Sequence, residues 1–211
     1  MLVKNILTAL SLSVVPIVTA FAREKPNIVF ILADDLGWTD LSCTGSDFYE
    51  TPHIDELREQ GMLFTHAYTN AANSAPSRAS IMTGMYTPRH GIYTVAPADR
   101  GKTENRKLIS MPNQHVLADT FMTFPKMLQE NGYNTIHIGK WHLGSDLSGN
   151  GPLQHGFDVN IAGDKNGHPF TYFYPFCRNS KQCLTNLELN DSTYESTPKS
   201  RTDNLVDSIS V

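Results

Sequence analysis

An α/β fold, a mainly parallel sheet flanked by helices, is predicted by three features of the sequence. The run Asn27-Ile28-Val29-Phe30-Ile31-Leu32-Ala33 is almost wholly apolar and rich in β-branched residues, the composition of a strand buried on both faces. Helical and strand patterns then alternate along the chain, which argues against an all-β architecture. An acidic pair, Asp34-Asp35, closes the first apolar run, and open α/β sheets hold their ligands at the carboxyl ends of strands.

The elements follow in order. Lys4, the apolar stretch Ile6 to Val18 and the small-x-small pattern Thr19-Ala20-Phe21-Ala22 predict a signal peptide over 1–22, cut after Ala22. That stretch is short for a stable membrane span, although an uncleaved anchor is the alternative. The expectation is an exported protein, periplasmic or extracellular, whose remainder, 23–211, is one domain. Thr51-Pro52 opens a helix with a cap and an early proline, Ile54 and Leu57 share a face, and Gly61 ends it. A second helix covers Ala79 to Thr83, with Pro76 at its start and Gly84 as its stop. Tyr93 to Asp119 reads as a long surface excursion. A helix over Thr123 to Asn131 stops at Gly132 and is followed by the strand Thr135-Ile136-His137-Ile138. Gly144 to Pro175 is irregular and aromatic-rich, and Thr202 to Ser210 has the pattern of an amphipathic helix start.

The formal net charge is -4 and no basic stripe is present, so nothing points to nucleic acid. The 3 cysteines contain no C-x-x-C pattern. In an exported protein Cys177 and Cys183 either close a small disulfide loop, leaving Cys43 as a buried thiol, or remain two free thiols beside an irregular loop.

Several residues carry candidate chemistry. Asp34 and Asp35 repel one another unless hydrogen bonds or a cation compensate, and a hard divalent cation would do so through oxygen ligands. On their own they read more readily as a solvated turn. Ser74-Ala75-Pro76-Ser77-Arg78 sits at a helix start, whose free N–H groups and positive dipole end suit an oxyanion. Arg78 adds a donor fork shaped for a sulfuryl or phosphoryl group. Ser74 is either a nucleophile precursor or an N-cap. Lys140 and His142, two apart in a segment leaving a strand, would share one face if the chain stays extended, with Trp141 opposite. The alternative is a surface Lys and His beside a core Trp. His90 reads as structural. His168, ahead of Tyr172-Phe173-Tyr174, is the best histidine for substrate contact, against a core-packing role for the aromatics.

Taken together, Asp34-Asp35, the run Ser74 to Gly84 and the run Gly132 to Gly144 containing Gly139-Lys140-Trp141-His142-Leu143-Gly144 resemble the type I sulfatases of the alkaline-phosphatase superfamily. Both family signatures occur, in the family's order, and the resemblance runs from Pro26 to at least Pro175. It implies an alkaline-phosphatase-like fold and a sulfuric ester hydrolase acting on a sulfated carbohydrate or an aryl sulfate. It further implies oxidation of Ser74 to formylglycine by a serine-type maturation enzyme. The hydrated aldehyde would attack sulfur, and its second hydroxyl would later expel the sulfate. A divalent metal, Ca²⁺ ahead of Mg²⁺, would be held by Asp34, Asp35 and the oxygen of residue 74. Arg78, Lys140 and His142 would be catalytic, Lys140 steadying the sulfate oxygens and His142 bonding the diol.

The resemblance also has gaps. Family members run far longer, and their late acidic ligand, later general-acid histidine and second lysine find no counterpart here. Asp203-Asn204 has no apolar strand before it. Two carboxylates and one further oxygen fall short of the roughly six to eight oxygens that Ca²⁺ takes. The expectation is therefore an N-terminal portion of a catalytic domain whose C-terminal part is missing. A truncated inactive remnant, or a related phosphodiesterase or phosphonate hydrolase, is the alternative.

Overall fold

The computed structural model describes residues 25–95, 99 and 101–168. The expected signal peptide over 1–22, the Cys177–Cys183 disulfide, the aromatics Tyr172 to Tyr174 and the helix start at Thr202 lie outside the described residues.

Helix α1 spans Pro52–Gln60, with Thr51 as N-cap and Pro52 in the first turn. Asp55 ties it to the preceding turn, accepting from Ser42 Oγ at 2.6 Å and Thr51 Oγ1 at 3.0 Å. Cys43, expected to be buried, is half-buried beside that carboxylate, because the turn that carries it lies on the surface.

Helix α2 spans Ser74–Thr83 and ends at Gly84 in the left-handed conformation, whose N–H returns to the Ser80 carbonyl. Glycine takes that conformation without the Cβ penalty. The helix buries Ala75, Ala79 and Met82. Helix α3, Thr87–His90, follows directly and places His90 back against α2.

Helix α4 spans Phe124–Glu130. Its N-cap Thr123 accepts from the Lys126 N–H and donates to the His155 carbonyl at 2.6 Å. Strands β1, Ile136–Ile138, and β2, Val159–Ile161, pair in parallel with His137 opposite Asn160. A parallel pair needs a long crossover, and here residues 139–158 form it. Asp158 accepts from the Thr135 N–H at 2.8 Å, which pins the register at the start of the ladder.

The core lies between α2 and the crossover. It gathers Ala79, Met82, Ile92, Leu117, Trp141, Leu143 and Phe157. Trp141 is 1% exposed and meets the rings of His137, His155 and Phe157. Complete burial of such a ring stabilises by about 2–3 kcal/mol. The buried tryptophan thereby fixes its two chain neighbours, Lys140 and His142.

One expected element is not formed. Residues 27–33 contain no strand, and Val29 is 85% exposed. A cleft of about 490 Å³ separates this run from β1, with Phe30 touching Phe124 across it at 5.7 Å between ring centroids. Strand propensity alone does not make a strand: ladder hydrogen bonds come only from a neighbour at about 4.8 Å.

Candidate active site

Ser74 is the first residue of α2, and the cap position belongs to Asn73. The N-cap reading of Ser74 therefore does not describe this helix. Its Oγ accepts from Arg78 Nε at 3.2 Å, one helical turn along, where positions four apart are neighbours. The same Oγ lies 3.2 Å from His142 Nδ1.

Arg78 is buried and uses its whole fork. Besides Ser74, its Nη1 donates to the Lys140 carbonyl at 2.7 Å and its Nη2 to Asp34 Oδ1 at 3.2 Å. Lys140 Nζ donates to Asp34 Oδ2 at 2.7 Å. One carboxylate thus bridges two cations brought from opposite ends of the site. Burial pulls the Asp34 carboxyl upward, but Lys140 and then Arg78 outweigh it and hold it below the usual carboxylate range. Asp34 is therefore an anion at neutral pH.

Lys140 and His142 reach the same site, with Trp141 directed into the core, but the segment is not extended. His142 has φ 67, in the left-handed region that a non-glycine residue rarely enters. Its N–H donates to the Asp164 carbonyl at 2.9 Å. Desolvation first, and the nearby Lys140 and Arg78 charges second, lower its basicity, so the ring is biased towards the neutral form. The Arg78 donor leaves the serine proton free to turn towards Nδ1, and the tautomer of the neutral ring sets which of the two donates.

Asp35 follows Asp34 with φ 55, in the left-handed region that a non-glycine residue rarely enters. The pair offers oxygen donors alone, which in kind suits a hard cation. Among the described residues, no group of three or more His, Cys, Asp or Glu side chains could hold a metal. Asp34 and Asp35 thus fit part of a coordination shell. His168 is exposed and lies close enough to His142 to depress its basicity further.

His90, read as structural from the sequence, is buried behind the serine helix. Its Nδ1 accepts from the Ile92 N–H at 3.1 Å, so the proton of the neutral ring sits on Nε2 and points to Ser80 Oγ at 2.9 Å. Ser80 in turn donates to the Pro76 carbonyl at 2.9 Å. Two features escaped the sequence reading: the double hold on Asp34, and the close approach of Gly167 to His142. The isolated glycine at 167 was the available signal for the second.

The family model described as Sulfatase matches residues 26–200. N-acetylgalactosamine-6-sulfatase of Mus musculus is 37% identical over 174 residues, 82% of this chain and 31% of that protein. N-acetylgalactosamine-6-O-sulfatase of Bacteroides thetaiotaomicron is 40% identical over 154 residues, 72% of this chain and 26% of that protein. Human arylsulfatase D is 40% identical over 152 residues, 70% of this chain and 24% of that protein. Among solved structures, Ps i-CgsB in complex with k-i-k-neocarrahexaose superposes with a TM-score of 0.54 at 36% identity, covering 66% of this chain and 29% of that one. The chain spans less than a third of the length of these relatives.

Proposed function

The chain belongs to the sulfatase family, and from that premise we propose that it contributes the nucleophile side of a sulfuric ester hydrolase site that acts on sulfated glycans. The observation that carries the reading is Ser74 Oγ held between Arg78 Nε and His142 Nδ1, beside a carboxylate bridged by Arg78 and Lys140. Sulfatases named for N-acetylgalactosamine 6-sulfate and a structural neighbour holding neocarrahexaose support a carbohydrate substrate.

Ser74 is the residue to be converted to formylglycine, a two-electron oxidation of its alcohol carried out by a separate maturation enzyme. As formylglycine, residue 74 would offer a hydrated-aldehyde oxygen as nucleophile for sulfur, while the S–O bond to the substrate breaks and the alcohol leaves with a proton from solvent. Arg78 orients that oxygen through Nε, and His142 takes or returns its proton at Nδ1. Lys140 offers its remaining N–H donors to the sulfate oxygens, and the first turn of α2 adds a positive dipole end. Asp34 and Asp35 would hold a divalent cation, Ca²⁺ ahead of Mg²⁺, which supplies Lewis-acid polarisation when bound. The protein is expected to be exported, with 1–22 as the signal peptide.

The test joins mass spectrometry to turnover. After co-expression with a serine-type maturation enzyme, the Ser74 peptide should lose two hydrogens and the protein should hydrolyse an aryl sulfate. Unmodified Ser74, or hydrolysis of phosphate esters in preference to sulfate esters, would overturn the reading. Sulfate binding without turnover would assign the chain a binding role.

A further inference from the structure

Gly167 has no backbone reason to be glycine. Glycines such as Gly84 and Gly156 have φ 68 and φ 91, whereas Gly167 lies outside the left-handed region. What excludes a side chain at 167 is space. A Cβ there would fall 2.5 Å from Cε1, 2.9 Å from Nε2 and 3.0 Å from Nδ1 of His142. The imidazole lies against the bare Cα.

The ring has little room to yield. Its Nδ1 faces Ser74 Oγ at 3.2 Å, and the backbone N–H of His142 is fastened to the Asp164 carbonyl at 2.9 Å. The turn beneath it is internally braced. Asp164 Oδ1 accepts from the Lys165 N–H at 2.7 Å, and Oδ2 from Asn166 Nδ2 at 3.1 Å. Gly163 N–H donates to Asn160 Oδ1 at 3.0 Å, which ties the turn to the middle residue of β2. The strand pair, the turn and the imidazole form a continuous stack of contacts ending at Ser74.

We propose that the turn 163–167 is a seat for His142 and that Gly167 is a positioning residue, fixing by its missing side chain where Nδ1 meets the oxygen of residue 74. The inference deepens the sulfatase reading and rests on it only for the role of His142. A side chain at 167 pushes the ring away from residue 74, and a displacement of about 1 Å in such a contact costs on the order of 10²-fold in rate.

The experiment is Gly167→Ala in the full chain, read by long-range imidazole nitrogen–proton correlation spectra at one fixed neutral pH. The His142 ring nitrogens should shift while those of His90, seated on Ser80, keep their positions. Unchanged His142 ring signals would overturn the seat. Where the matured protein turns over an aryl sulfate, kcat should fall at least tenfold with KM within twofold. If no sulfatase turnover exists at all, a selective His142 shift still supports the seat, and the functional reading alone fails. Should Gly167→Ala give no interpretable spectrum, stability decides: its loss should vanish in a His142→Ala background. An equal loss with and without the ring would overturn the proposal.

Discussion

Arg78 meets Lys140 at two places: its Nη1 holds the Lys140 carbonyl at 2.7 Å, and its Nη2 shares the Asp34 carboxylate with the Lys140 ammonium. Main chain and side chain of one lysine are thus referenced to a single guanidinium, which also touches Ser74.

Arg78→Lys should therefore fail although it keeps the charge. A lysine ammonium cannot present three directed donors to Ser74, Asp34 and the Lys140 carbonyl at once. Leaving such partners unsatisfied costs about 1–3 kcal/mol, read as a lower urea midpoint. Sulfatase turnover of the matured protein should drop by at least about 10²-fold.

Asp34→Asn should turn the same corner into a stronger anion trap. It removes the carboxylate that occupies Arg78 Nη2 and Lys140 Nζ and leaves both cations in place. Sodium sulfate should raise the Tm of the variant more than that of the parent, relative to chloride at equal ionic strength. Equal shifts would mean that the two cations do not bind anions together.

Stability should fall in mild acid. Burial depresses His137 to about 4, and desolvation also lowers His90, His142 and His155. An unfolded histidine titrates near 6.5, so between about pH 4 and 6.5 the unfolded chain takes up protons that the folded one refuses. This contribution is complete above the unfolded value and is lost as pH falls through the window. The urea midpoint should drop between about pH 7 and 4.5, and His137→Gln should flatten that slope.

His90→Ala should loosen the serine helix from behind. It strands the buried Ile92 N–H and removes a donor from Ser80 Oγ. The expected cost is about 1–3 kcal/mol by chemical denaturation. His90→Gln, whose amide can serve both partners, should recover part of it.

Local spacing made much of the site legible. Ser74 and Arg78 are one helical turn apart, so a helix start alone puts them in contact. Lys140 and His142 reach the same corner, but through a left-handed His142 whose N–H meets the Asp164 carbonyl, not through the extended chain on which the alternation expectation rested. The helices at 52 and 124 were legible from their caps, prolines and stops. The run 27–33 was not, because its β-branched composition describes a preference while pairing depends on a partner distant in sequence. The Asp34 bridge has the same origin: its cations come from 44 and 106 residues away.

The run that carries Asp34 is joined to the molecule by side chains. Lys25 reaches the Asn131 carbonyl and lies over Tyr133, Phe30 meets Phe124, and Asp34 takes its two cations. Among the described residues, no backbone-to-backbone hydrogen bond involves residues 27–35. In heavy water, the amides of 28–33 should exchange well ahead of those of 136–138, which lie in the parallel ladder. The acidic corner can thus hold its carboxylate in place on a ribbon whose own amides remain open to solvent isotope.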